Sequence, residues 1–174
     1  MRAVIRSKNK EAGQPRIFTD DTDQNMTQSD GKLPLIHREL TERIIGTFYE
    51  VYNELGHGFI ESVYEKSLAI ALREKGFEVT RQVAVPVWFR GSKVGDFDAD
   101  LMIERTVIAE LKSARSIDPA HVAQLLNYLK ATEIEVGLLL NFGPKAEFRR
   151  LIFDNPRKKP PGASNGLLKA LFDE

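Results

Sequence analysis

From Leu40 to Leu55 the apolar residues Leu40, Ile44, Ile45, Phe48, Val51, Tyr52 and Leu55 recur at helical spacing, and Gly56-His57-Gly58 closes the run. The pattern predicts an amphipathic helix. Ile60, Val63, Tyr64, Leu68, Ala71 and Leu72 mark one side of a second helix that stops at Gly76. The period then changes to two: Val79, Val83, Val85, Val87 and Phe89 alternate with mostly polar neighbours, as a half-buried strand does. Pro86 cannot donate to a ladder, so this strand belongs at a sheet edge or beside a bulge. Arg90-Gly91-Ser92 reads as the turn that follows.

The next segment, GDFDADLMIERTVIAELKS from Gly95 to Ser113, sets ionisable residues where a strand wants a core. Two apolar runs separated by Glu104-Arg105-Thr106 predict an antiparallel hairpin. A two-residue turn would pair Ala99 with Glu110 and mix the faces. A three-residue loop from Glu104 to Thr106 instead pairs Ile103 with Val107, Leu101 with Ala109 and Ala99 with Leu111, making one face wholly apolar, and this register is preferred. The other face then sets Asp100 across from Glu110, Asp98 across from Lys112 and Met102 across from Ile108. At ~5 Å and an effective dielectric of about 20, two such carboxylates repel by roughly 3 kcal/mol. Lys112, on the same face, supplies one positive charge, and a divalent cation bridging both acids would supply the rest. The plain alternative is a solvated hairpin face whose acids keep the sheet soluble.

Asp118-Pro119 is an N-cap and first-turn pair, and Val122, Leu125, Leu126 and Leu129 mark the buried side of a helix from Pro119 to Ala131. VGLLLNF, Val136 to Phe142, is apolar on both parities, which predicts a central strand covered on both faces. Strand, helix, strand from Glu110 to Phe142 implies a right-handed crossover and a parallel pair. The predicted order is α-α-β-β-β-α-β, an α/β class with a mixed four-stranded sheet flanked by helices.

The chain has 174 residues, 42% hydrophobic and 29% charged, enough for one ordinary core. Residues 1–34 are polar and unpatterned and are expected to be a flexible extension, 35–154 the folded domain and 155–174 a C-terminal tail. With 25 basic and 25 acidic residues, no global field points to nucleic acid or membrane, so any phosphate binding must be local. Arg149-Arg150 and Arg157-Lys158-Lys159 offer such a local edge or are ordinary surface. The absence of cysteine excludes thiol catalysis and cysteine metal sites and suits a reducing compartment. No apolar stretch is long enough to span a membrane. A cytoplasmic protein is expected.

Helices, a three-strand meander that ends in Asp100 and Glu110-Leu111-Lys112, then a helix and a strand, resemble the core of the PD-(D/E)XK nuclease superfamily. GFIESVY, Gly58 to Tyr64, is similar to the signature of the GxxExxY protein family, and the resemblance runs from about Leu40 to Ile152, with the blocks ELK and HVAQLLNYL. It implies a restriction-endonuclease-like core and an Mg²⁺-dependent nuclease, with Mn²⁺ as substitute, acting on DNA or RNA. By position Asp100, Glu110 and Lys112 would be the catalytic set, with Asp100, Glu110 and the main-chain carbonyl of Leu111 on the metal. This sequence has Ala99-Asp100 in place of Pro-Asp.

Gln124 and Tyr128, four residues apart on one helical face, are similar to the Gln-x-x-x-Tyr pair of exonuclease branches of that superfamily and would support the active site. His121 joins the same stripe, with capping or packing as its alternative. Glu61 is a further candidate metal ligand, although a glutamate in a first helical turn also gains from the helix dipole alone. Tyr64 reads as a core residue with a satisfied hydroxyl, and Gly58 as a backbone turn. Asp96 and Asp98 read as supporting or solvated acids. Hard oxygen donors favour magnesium over zinc. The rival functional reading is an inactive module of the same fold that binds nucleic acid or a protein partner.

Overall fold

The computed structural model describes residues 16–21 and 36–154. The elements in order are β1 (Arg16–Asp21), α1 (Arg38–Leu55), α2 (Glu61–Glu74), β2 (Val79–Phe89), β3 (Ser92–Ile103), β4 (Val107–Lys112), α3 (Pro119–Ala131), β5 (Val136–Phe142) and β6 (Ala146–Asp154). The strands form one sheet in the order β1-β6-β5-β4-β3-β2.

The predicted helix, helix, meander, crossover helix and strand are all present, and β4 and β5 run parallel from Val107↔Val136 to Lys112↔Asn141. Two strands go beyond the predicted four. β6 folds back antiparallel on β5, and β1 pairs antiparallel with β6 from Arg16↔Asp154 to Asp21↔Arg149. The reading of 1–34 as a flexible extension is therefore corrected for residues 16–21, while the rest of that segment and the tail 155–174 lie outside the described residues. The six residues RIFTDD carry too short an apolar pattern to announce a strand, and it is the open edge of β6 that supplies their hydrogen-bond partners.

Two cores sandwich the sheet. One joins Ile44, Phe48 and Val51 of α1 and Tyr64, Leu68 and Leu72 of α2 to Leu101, Ile103, Val107, Ala109, Leu111, Val136, Leu138 and Leu140. The other joins Leu125, Tyr128 and Leu129 of α3 to Met102, Ile108 and Leu139. Every residue of β5 is buried, as its unbroken apolar run requires. At Gly137 an added Cβ would stand 2.8 Å from Leu125 Cδ1, so the missing side chain lets α3 lie close on the sheet.

The hairpin register is the preferred one: Leu101↔Ala109, Met102↔Ile108 and Ile103↔Val107, joined by a loop at Glu104–Thr106. Glu104 and Arg105 both take positive φ, 51° and 53°, and Thr106 N–H bonds Ile103 O at 3.1 Å. A tight turn followed by one extra residue thus shifts the ladder by the single step that sorts the faces.

Ala99 departs from expectation. It packs with Val83 and Val85 on the α3 side, whereas Leu101 and Leu111 lie on the α1/α2 side. The β2–β3 pairing is interrupted between Arg81↔Leu101 and Val83↔Ala99, at the positions of Gln82 and Asp100, and Gln82 has φ 50°. A left-handed residue inside a strand breaks its alternation, so the ribbon exchanges faces at that point. β2 is the edge strand that Pro86 called for, and a register shift between Val87 and Trp88 adds a bulge farther out.

Candidate active site

The site lies where β3 parts from β4. Their ladder ends at Leu101↔Ala109, and beyond it the Leu111 N–H donates to Asp100 Oδ2 at 2.8 Å. The carboxylate takes the role of a strand carbonyl, which fixes Asp100 at the opening between the two strands.

Glu110, on the central part of β4, is 2% exposed. Lys112 Nζ donates to its Oε1 at 2.6 Å, while Oε2 is buried and makes no hydrogen bond within the protein. Burial first, and the Asp100 charge second, push the Glu110 carboxyl up to about 7 against the pull of Lys112 and of the nearby Asp100 main-chain N–H. Asp100 is raised as well, mainly by burial, with the Leu111 N–H and Lys112 acting in the opposite direction and Glu65 and Glu61 adding to the rise. The two acids, neighbours at the point where the strands part, thus resist being charged together.

Glu61 opens α2 and accepts the Ser113 N–H at 3.2 Å, so it reaches the end of β4 rather than capping its own helix. One turn later Glu65 is buried and accepts from Arg81 Nε at 2.7 Å and Gln82 Nε2 at 2.8 Å. Glu65, whose charge reaches Asp100, and its partners Arg81 and Gln82 go beyond the residues the sequence singles out. The available signal was the four-residue spacing of Glu61 and Glu65, which turns both toward the same strands. Tyr64, between them, is a core residue with a satisfied hydroxyl, donating to Gly56 O at 2.9 Å and stacked 4.2 Å from Phe142. Gly58 takes φ 112°, a conformation that side chains disfavour.

From α3, Gln124 Nε2 donates to the Tyr128 hydroxyl at 2.8 Å, and that hydroxyl donates to Asp98 O at 3.2 Å. Burial raises the Tyr128 phenol, and the Glu110 charge adds to the rise. The Gln124–Tyr128 pair therefore stands on the α3 side of the carboxylates. His121 is drawn into the start of α3, where its Nδ1 accepts the Asp118 N–H at 3.3 Å while Asp118 Oδ1 accepts from Ala120 and His121. This is a capping box with histidine in place of the usual glutamate. Asp98 is exposed, Asp96 pairs with Lys93 at 2.7 Å, and Lys112 is paired with Glu110 rather than with Asp98.

Among the described residues, no three histidine, aspartate or glutamate side chains gather closely enough to enclose an ion by themselves. Asp100, Glu110 and the Leu111 carbonyl nonetheless suit magnesium, which is commonly held by one or two carboxylates while keeping waters and phosphate oxygens on its other positions. The orphaned Glu110 Oε2 is the group such an ion would satisfy.

A mixed sheet flanked by helices, with this hairpin at its centre, is a restriction-endonuclease-like fold. The family model of the PD-(D/E)XK nuclease superfamily matches residues 38–151, from the start of α1 into β6, and the chain belongs to that superfamily. No curated protein and no solved structure matches the sequence. None of the described helices is long and apolar enough to cross a membrane.

Proposed function

We propose that the protein is a divalent-metal-dependent nuclease that hydrolyses phosphodiester bonds of nucleic acid. The observation that carries this reading is the buried, unpartnered Oε2 of Glu110 beside Asp100 and Lys112. A carboxylate confined next to a second acid is costly unless a cation joins them. Asp100, Glu110 and the Leu111 carbonyl would hold Mg²⁺ or Mn²⁺, with Glu61 as a further carboxylate donor at the end of β4. Such an ion supplies Lewis-acid polarisation of the phosphate and a more acidic bound water.

The chain's own groups do the rest. Lys112 orients the attacking water, and its ammonium offsets charge that builds on the phosphate. Tyr128 is pinned by Gln124 and the Asp98 carbonyl, which supports the α3 wall of the site. His121 contributes through the first turn of α3. The positive φ of Gly58, the reach of Glu61 and the burial of Tyr64 support placing the chain within the GxxExxY family. The lack of cysteine suits a cytoplasmic setting, and we assign the catalytic domain to residues 35–154.

The test is cleavage of single-stranded and duplex DNA and RNA by the purified protein with Mg²⁺, Mn²⁺ or chelator. Cleavage that requires metal and vanishes in Glu110→Ala is expected. A second reading, an inactive binding module, is favoured by the 2.6 Å Lys112–Glu110 contact, which would serve as a fixed buried ion pair. Thermal melts of wild type and Glu110→Ala, each in chelator and in Mg²⁺, separate the two. Under the nuclease reading only wild type gains stability from Mg²⁺, and the variant in chelator is level or more stable. Under the module reading the variant is destabilised equally in both conditions.

A further inference from the structure

The β2–β3 ribbon extends beyond the cover of α3. On β2 the residues Val85, Val87 and Phe89 share a face by alternation, and exposure grows outward along it, from buried Val85 through half-buried Val87 to Phe89, 61% exposed. Phe97 is paired directly across from Val85, is 38% exposed, and has its ring 5.5 Å from that of Tyr128 at the site. Gly95, across from Val87, puts no side chain between the two rings. At the outer end the Arg90 guanidinium lies 5.1 Å over the Phe89 ring. Val85 and Phe89 are four strand residues apart, which sets the two aromatic positions at roughly 13 Å.

We propose that this face is the track by which a single-stranded nucleic acid reaches the site, with unpaired bases stacking on Phe97 and Phe89 and the Arg90 guanidinium meeting a phosphate. The inference rests on the nuclease reading and adds the strandedness of its substrate. A chain with zero net charge lacks the wide basic field that holds a duplex by its phosphates. Stacking on aromatic rings adds affinity beside whatever local cation meets the phosphates, tolerates any base, and is open only to bases whose faces are free. The acids of the ribbon fit as well. Asp96 and Asp98 lie on the reverse face by alternation with Phe97, where Lys93 already meets Asp96, so the track itself carries no carboxylate from them. Trp88 lies on that reverse face by alternation with Phe89 and is 54% exposed, which makes it a control of similar hydrophobic exposure.

The test is fluorescence anisotropy of a labelled 12-nucleotide DNA and RNA, single-stranded and as duplex, with the full chain in chelator, so that binding is read without cleavage. Single strands should bind at least tenfold more tightly than duplex. Phe97→Leu and Phe89→Leu, which keep apolar bulk but lose the ring, should each weaken single-strand binding about tenfold, and Trp88→Ala should not. Duplex binding as tight as single-strand binding, no binding of either, leucine variants equal to wild type, or equal loss in Trp88→Ala would each overturn the track. Cleavage of the same oligonucleotides with Mg²⁺ is scored separately. Ring-dependent single-strand binding without cleavage keeps the track and removes the nuclease reading. Cleavage that prefers duplex and ignores both rings keeps the nuclease and removes the track.

Discussion

The carboxylate of Asp100 accepts the main-chain N–H of Leu111 at 2.8 Å, just past the last paired residues of β3 and β4. The acid has two roles, closing the strand split and facing Glu110, and substitutions can separate them. Asp100→Asn keeps an acceptor for Leu111 and removes the charge, whereas Asp100→Ala leaves a buried N–H without a partner, a loss of about 1–3 kcal/mol. In chelator, urea unfolding should find Asp100→Asn at least as stable as wild type and more stable than Asp100→Ala by about 1–2 kcal/mol. Cleavage should be lost in both.

Glu110 gives the fold a pH dependence of unusual sign. Its carboxyl is raised from 4.5 to about 7, so between those values the unfolded chain ionises while the folded chain keeps its proton. Stability in chelator is therefore full below about pH 4.5, falls as pH rises through about 7, and is level beyond; at ~1.36 kcal/mol per pK unit the loss is on the order of 3 kcal/mol. Melting temperature from pH 5 to 8 should decline in wild type and be nearly flat in Glu110→Gln. Saturating Mg²⁺ should shrink the decline, because a bound cation favours the ionised carboxylate. A wild-type profile that rises over this range in chelator would contradict the assignment.

Lys112 opposes the rise at Glu110 through its hydrogen bond and its charge. In Lys112→Ala that pull is gone, so the decline in stability should still begin near pH 4.5 but continue to higher pH than in wild type. Metal binding followed by calorimetry should persist, since an ammonium is not a ligand and its removal frees Glu110. Cleavage should fall by about 100-fold or more if the lysine acts on the attacking water. A variant that cuts at the wild-type rate would remove Lys112 from the catalytic set.

Glu65 ties α2 to the kink in β2 through Arg81 and Gln82. Glu65→Ala leaves Gln82, at φ 50°, without the carboxylate that holds it, and leaves Arg81 without its partner. The Arg81 side chain is 33% exposed, so the expected loss, about 2 kcal/mol, is below that of a fully buried pair. Because the kink lies across from Asp100, metal affinity should weaken alongside stability. Chemical unfolding and metal titration of Glu65→Ala and Glu65→Gln check both effects, with the glutamine variant less impaired.

Local chemistry along the chain determined most of the architecture. Apolar spacing defined both N-terminal helices and the crossover helix, the unbroken run of β5 marked a strand covered on both faces, and Pro86 placed β2 at an edge. Each of these depends on a residue and its near neighbours, because helical and strand periodicities are local. The hairpin register was also readable, since only one alignment keeps charge off the face of Leu101 and Ala109, and it brought Asp100, Glu110 and Lys112 to one place.

Tertiary structure alone decided what depends on partners distant in sequence. β1 exists because β6 offers it an edge. Ala99 changes faces because Gln82 turns left-handed, and that turn is held by Glu65, seventeen residues away. Glu61 spends its carboxylate on Ser113 rather than on its own helix, and His121 turns back to cap α3. The raised pKa of Glu110 likewise follows from burial between two layers, since a carboxylate's charge is set by the water and charges around it in space, and these are assembled only when the strands and helices pack.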